Sequence, residues 1–166
     1  MKNKKHLPLL GAGPVYVILT SIVTLVAITL DCKGIIPAIR IPDVLAGVMK
    51  VIAVLLGIEG ISIWISAVFI SRLTQHIKEN KLVTNGVYGI VRHPIYAAFT
   101  LVEWSILMWT GNLLIFVLIP LYWAFFTILI KKTEEKWLLN LYGKEYEDYC
   151  KRVNRCIPWF PKKKRI

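Results

Sequence analysis

The chain has 166 residues, of which 56% are hydrophobic and 19% charged, with a formal net charge of +11. Soluble domains are about 45–50% apolar, so this composition and a mean hydropathy of +0.58 exclude an ordinary soluble fold and point to a membrane. The basic residues gather at the ends of apolar runs, as the positive-inside rule expects, and not along one face, which argues against nucleic-acid binding.

The opening M-K-N-K-K-H is a basic cap. Gly11-Ala12-Gly13 matches the start of a dinucleotide fingerprint, but no strand precedes it and the rest of the motif is absent; it reads as a flexible helix entrance. Pro14 to Leu30 is almost wholly apolar. Extended by Leu9 and Leu10, this run satisfies the roughly 17–20 residues that a spanning helix needs. It is too long for a signal-peptide core, and no secretory cleavage site follows it.

A connector from Asp31 to Asp43 contains Pro37 and Pro42, and its four charges cancel. The second span is predicted from about Val44 to Ser71. At about 1.5 Å per residue it exceeds the hydrocarbon thickness and must tilt or protrude. Glu59, flanked by Gly57 and Gly60, falls near its middle, where a charge is expected to face a cavity or a partner. Arg72, His76, Lys78 and Lys81 then mark a basic cytoplasmic loop.

The stretch from Leu82 to Tyr96 is polar and punctuated by glycine. Pro94 suits the first position of a helix, whose N–H has no intrahelical partner. Arg92 and His93 therefore stand at a helix mouth that attracts anions, and Tyr88, Arg92, His93 and Tyr96 are candidate ligand contacts. The third span runs from Pro94 to about Trp109 and the fourth from about Leu113 to Ile130. Only Thr110-Gly111-Asn112 separates them, which requires a helical hairpin. Pro120 is expected to kink the fourth span near its middle. Lys and Arg place the N-terminus, the loop after span two and the C-terminal tail in the cytoplasm, with 31–43 and 110–112 outside.

Beyond Ile130, Trp137, Leu138, Leu141 and Tyr142 keep helical spacing, as do Tyr142, Tyr146, Tyr149 and Val153. Gly143 divides two short amphipathic helices, which read as an interfacial tail closed by a basic K-K-K-R patch for anionic headgroups. Cys32, Cys150 and Cys156 are odd in number and lack zinc-like spacing, so neither a disulfide framework nor a structural metal is indicated. The sum is an all-α, polytopic membrane protein with about four transmembrane helices. It forms one domain over 1–166, with N-terminal spans in 1–81 and a ligand-binding half in 82–166.

The hairpin brings the start of span three and the end of span four to one membrane face. Arg92, His93 and Tyr96 thus oppose Lys131, Lys132, Glu134 and Glu135. This basic and aromatic cluster opposite paired acids can hold a zwitterion. Adjacent Glu residues diverge by about 100° on a helix, so one of the two is expected to face the pocket.

G-x-Y-x-x-x-R-H-P-x-Y, a helical hairpin, E-E, Y-G-x-x-Y-x-x-Y-x-x-R-V and I-P occur in that order between Leu82 and Pro158. This half of the chain resembles the isoprenylcysteine carboxyl methyltransferases, a family within a broader group of membrane methyltransferases that includes phospholipid N-methyltransferases. The resemblance implies S-adenosylmethionine as methyl donor, bound at the cytoplasmic face, and a lipophilic, prenylated substrate entering from the bilayer. By position it assigns Tyr88, His93, Tyr96, Glu134 and Glu135 to the donor site, with Arg92 beside them. The chain departs from the family at Ala98, where glycine is common, at Lys131 and Lys132, where arginine precedes the acids, and at Asn154, where proline is common. Lysine offers a point charge and no bidentate fork.

A carboxylate acceptor is already ionised at neutral pH and needs no general base; it needs a holder in line with the donor methyl. Arg92, Lys132, Arg152 and Arg155 are the candidates; Arg152, in the matching R-V element, is slightly favoured, with a solvated surface role equally open to it. An amine acceptor would need deprotonation, with His93 or a Glu as base. A reductase-like or non-enzymatic protein on the same scaffold is a third reading. Glu59 and Glu103 either line a cavity for the lipid substrate or pair with a neighbour such as the Trp104 indole.

Overall fold

The computed structural model describes residues 11–71 and 81–160. The expected basic cap, Leu9 and Leu10, the loop residues Arg72, His76 and Lys78, and the K-K-K-R patch lie outside the described residues. Helix α1 is Gly13–Cys32 and α2 is Asp43–Ile65, whose last turn widens into a π turn at Ser66–Ile70. A 3-10 turn at Gly86–Gly89 leads to α3, Pro94–Trp109. Then come α4 at Leu113–Phe116, α5 at Leu118–Lys132, α6 at Glu134–Tyr142 and α7 at Lys144–Arg152.

Among the described residues, three helical segments are long and apolar enough to cross a membrane: Gly13–Cys32, Asp43–Ile70 and Leu113–Tyr142. The fourth, α3, has 16 residues, about 24 Å at 1.5 Å per residue. Its shortness has a packing reason. Eight of its residues, from Pro94 to Leu107, are buried among the other helices, so it presents little surface to lipid and need not match the bilayer's thickness. The chain is an integral membrane protein with an all-helical core.

Helix α2 lies along α3 at close range because two glycines face the seam. A Cβ on Gly60 would fall 2.8 Å from the Ala98 carbonyl oxygen, and one on Gly57 would fall 3.0 Å from Ser105 Oγ. Small residues of this kind let membrane helices approach where no hydrophobic force drives them together. With those positions turned inward, Glu59 lies on the exposed face of α2.

Helix α1 crosses the other side of α3 and carries a polar ladder through the bundle. Tyr16 Oη pairs with Thr100 Oγ1 at 2.7 Å, and Thr24 Oγ1 with Tyr122 Oη at 2.9 Å. Tyr122 in turn donates to the Thr20 carbonyl at 3.0 Å. These bonds tie α1 to α3 and to α5 at different depths, replacing water that hydrocarbon cannot supply.

The proline effect falls earlier than expected. The fourth span breaks at Val117, between α4 and α5, not near its middle. Pro120 lacks an N–H, and its ring crowds the carbonyl four residues back, that of Phe116; the break lies there. At the same end, the 33–42 connector is stitched to the hairpin turn. Ile41 N donates to Gly111 O, and Leu113 N to Ile39 O. Fully buried Asn112 donates to Asp31 and to the Pro37 carbonyl, and Arg40 forks onto Asp31.

Candidate functional site

At the opposite end, the helix breaks are what build the site. Gly86, at φ +58°, starts the 3-10 turn that places Tyr88 inward. Arg92 N donates to the Asn154 carbonyl and Trp159 N to that of Ile90, so the tail after α7 runs beside 90–92. Tyr149 Oη donates to the Tyr88 carbonyl at 2.6 Å. The segment that presents Arg92 and His93 is thus clamped from behind. Tyr146, Tyr149 and Val153 form a buried cluster with Leu138 and Tyr142 packed on it. The apolar edge of α7 therefore packs on the protein.

His93 immediately precedes Pro94, is 5% exposed, and stands between the two acids. Its Nδ1 lies 3.5 Å from Glu134 Oε2 and its Nε2 3.7 Å from Glu135 Oε1. Tyr96 Oη donates to Glu134 Oε1, and its ring stacks on Phe126 with centroids 5.5 Å apart. Glu135 Oε1 accepts Arg92 Nη1 at 2.7 Å, and Arg155 makes two bonds to the carboxylate at 2.8 Å each. The Arg92 and Glu135 side chains are 8% and 11% exposed, so this pairing is largely shielded from water. Arg92 Nη1 also donates to Cys150 Sγ.

Both acids join the cluster, where one was expected. They are the first two residues of α6 after Thr133, and a helix seen end-on lets consecutive side chains reach around its mouth. Two guanidiniums and two carboxylates thus meet around a histidine. The nearby titrations follow. Arg155 is pushed up, first by its hydrogen bonds to Glu135. Tyr88 is pushed up by burial and then by the Glu134 charge, and Tyr146 by burial and then by Glu135.

The remaining candidates separate. Lys132 is exposed at the end of α5. Arg152 is exposed and donates to the Asp148 carbonyl of its own helix, because the R-V element turns Val153 inward and its neighbour out. Tyr88 packs with Ala67 and Val83 beneath the cluster. Glu103 is buried on α3 and accepts from Ser21 Oγ at 3.2 Å. Trp104 packs by Ile63, Ala98 and Leu101, and among the described residues neither Glu103 Oε2 nor the Trp104 indole N–H has a hydrogen-bond partner, so the two do not pair. Sequence reasoning missed the Ala12 backbone N–H, which donates to Glu134 Oε1 at 2.9 Å. It also missed Cys150. Neither carries a signal in residue type or spacing.

A family model described as phospholipid methyltransferase matches residues 44–145. The protein-S-isoprenylcysteine O-methyltransferase of Schizosaccharomyces pombe is 40% identical over 85 residues, 51% of this chain and 36% of that protein. Methanethiol S-methyltransferase 1 of Bradyrhizobium diazoefficiens is 37% identical over 73 residues, 44% of this chain and 25% of that protein. Protein-S-isoprenylcysteine O-methyltransferase B of Arabidopsis thaliana is 34% identical over 85 residues, 49% of this chain and 42% of that protein. In each case the chain spans less than half of the relative's length. No solved structure matches.

Proposed function

The chain belongs to the phospholipid methyltransferase family, and on that premise we propose that it transfers a methyl group from S-adenosylmethionine to a lipophilic carboxylate, such as the C-terminal carboxylate of an isoprenylated cysteine. One observation carries the reading: His93, between Glu134 and Glu135, gathers into one cluster the R-H-P-x-Y element and the acid pair from opposite ends of the hairpin.

The residues present suit the donor. Arg92 Nε and His93 Nε2 are buried without a hydrogen-bond partner among the described residues, and buried polar groups are seldom left so in the absence of a ligand. Glu134 offers Oε2 to an ammonium group, and His93 Nδ1 stands beside it. When bound, S-adenosylmethionine supplies a methyl group on a positively charged sulfur. The chain's own part is to orient and to exclude water. Tyr96 fixes Glu134, Arg155 fixes Glu135, and Glu135 in turn fixes Arg92. An ionised acceptor then needs only a holder. Arg92 fits that task better than Lys132 or Arg152, both of which are exposed.

The lipid part of the acceptor reaches the site through the bilayer, with the site and both termini on the cytoplasmic side; the distribution of Lys and Arg supports this orientation. A second reading, methylation of a thiol or amine, is favoured by the names of the family and of the methanethiol relatives. Purified protein in lipid nanodiscs should bind S-adenosylhomocysteine saturably by calorimetry. Labelled donor incubated with prenylated cysteine analogues should yield a product that releases volatile methanol in base. Saturable binding with a base-stable product would move the assignment to the second reading, and no saturable binding would remove both.

A further inference from the structure

The entrance of α1, outside the residues that the family model matches, is built against the acid pair. Ala12 N–H donates to Glu134 Oε1 across 122 positions of chain. Gly11 sits at φ +53°, and a Cβ there would fall 1.9 Å from the same oxygen. A Cβ on Gly13 would touch Tyr96 Oη at 3.5 Å. Gly-Ala-Gly therefore wraps the Glu134–Tyr96 pair, and a side chain at its first position would push the Glu134 carboxylate aside.

We propose that the Gly11–Ala12 peptide is a positioning element of the donor site, which therefore extends into the N-terminal half of the protein. This rests on the reading of Glu134 as a donor contact. Glu134 Oε1 accepts from Ala12 N–H and from Tyr96 O–H. With that oxygen saturated, Oε2 is the one left to meet a cationic group, beside His93 Nδ1. A peptide N–H does not titrate in the working range of an enzyme, so it holds the carboxylate in one direction at any such pH. A lysine or arginine in its place would neutralise the charge that the ammonium needs. The backbone directs the acid without cancelling it.

The test is the affinity for S-adenosylhomocysteine, measured by calorimetry on the full chain in nanodiscs. Gly11→Ala and Gly11→Asn should each weaken binding at least tenfold; asparagine tolerates positive φ, so its loss reports the obstruction and not backbone strain. Gly34→Ala is the control. Gly34 has φ +69° with nothing within 4 Å of a Cβ, and its variant should bind within twofold of the unsubstituted protein. Adding Glu134→Asp to Gly11→Ala withdraws the carboxylate by one methylene and should recover part of the loss. Should the Gly11 variants fail to fold, hydrogen exchange at the Ala12 amide decides, and Glu134→Ala should speed it at least tenfold. Equal affinity in both Gly11 variants, or unchanged exchange, overturns the proposal and leaves the donor site standing. An unsubstituted protein that does not bind S-adenosylhomocysteine overturns both.

Discussion

Arg155 grips Glu135 with both prongs of its guanidinium, Nε on Oε1 and Nη2 on Oε2, each at 2.8 Å. The same carboxylate also holds Arg92, so one acid sets the position of two cations. Lysine in place of Arg155 keeps the charge and loses the fork. Arg155→Lys is therefore expected to weaken S-adenosylhomocysteine binding by about tenfold, roughly 1.4 kcal/mol. Glu135→Ala leaves the shielded Arg92 guanidinium without its carboxylate and frees the partly exposed Arg155, and should cost about 3 kcal/mol. Calorimetry reads the first effect, and a lowered unfolding temperature reads the second.

Tyr96 has two separable roles. Its ring stacks on Phe126, while its hydroxyl serves Glu134. Tyr96→Phe keeps the packing and removes a hydrogen bond to a charged group, worth about 1.5–3 kcal/mol. Donor affinity should fall about tenfold, with the unfolding temperature lowered by only the few degrees that one lost bond accounts for. A larger loss of stability than of affinity would show that the ring's surroundings, and not the hydroxyl, were disturbed.

Four basic residues stand in the sequence as candidate carboxylate holders, with Arg152 slightly favoured, and the structure divides them. Lys132→Ala and Arg152→Ala remove exposed side chains and should leave methyl transfer within about twofold, since surface charges contribute little. Arg92→Ala should reduce it by about a hundredfold or more. Initial rates with labelled donor at saturating acceptor distinguish the cases.

The seam between α2 and α3 and the stitch at Asn112 are structural and should behave so. Gly60→Val forces a side chain against the Ala98 carbonyl, overpacking that typically costs about 1–3 kcal/mol. Asn112→Ala strands the Leu114 N–H that the asparagine side chain satisfies and removes one bond from Asp31, which Arg40 still holds, at about 1–3 kcal/mol for the group left unpaired. Both should lower the unfolding temperature, with donor affinity retained in the protein that stays folded.

Alkaline pH should loosen the clamp behind His93. Burial raises the phenols of Tyr88 and Tyr149 above their ordinary 10.0. The unfolded chain releases those protons near pH 10, while the folded chain keeps them. Stability is thus constant with respect to these groups below about pH 10 and falls as pH rises beyond it. Unfolding temperatures from pH 8 to pH 11 should show the decline, and Tyr149→Phe should flatten it.

The spans were legible because each is an unbroken apolar run, and the hairpin because three residues leave no other route back. From those two facts the meeting of R-H-P-x-Y with the acid pair followed. Side-chain direction was less accessible. Glu59 and Glu103 look alike as intramembrane acids, yet the glycines beside Glu59 claim the seam with α3 and leave it exposed. Arg152 and Arg155 look alike as tail arginines, but α7 ends between them, so helical spacing does not carry across. Glu134 and Glu135 were read on the side of a helix, whereas they sit at its mouth. The Ala12 N–H belongs to the backbone, and no residue type announces it.

The bond between Ala12 and Glu134 also orders events in the life of the chain. The entrance of α1 is synthesised early and its partner more than a hundred residues later, after α2, α3 and α5 have been made. Until α6 has been translated, Gly11 and Ala12 have no acid to hold, and His93 stands beside neither carboxylate. The site is therefore the last feature of the bundle to be completed during biosynthesis. A nascent chain halted before Glu134 can carry the apolar helices and their seams, but not the pairing of Ala12 and His93 with the acids.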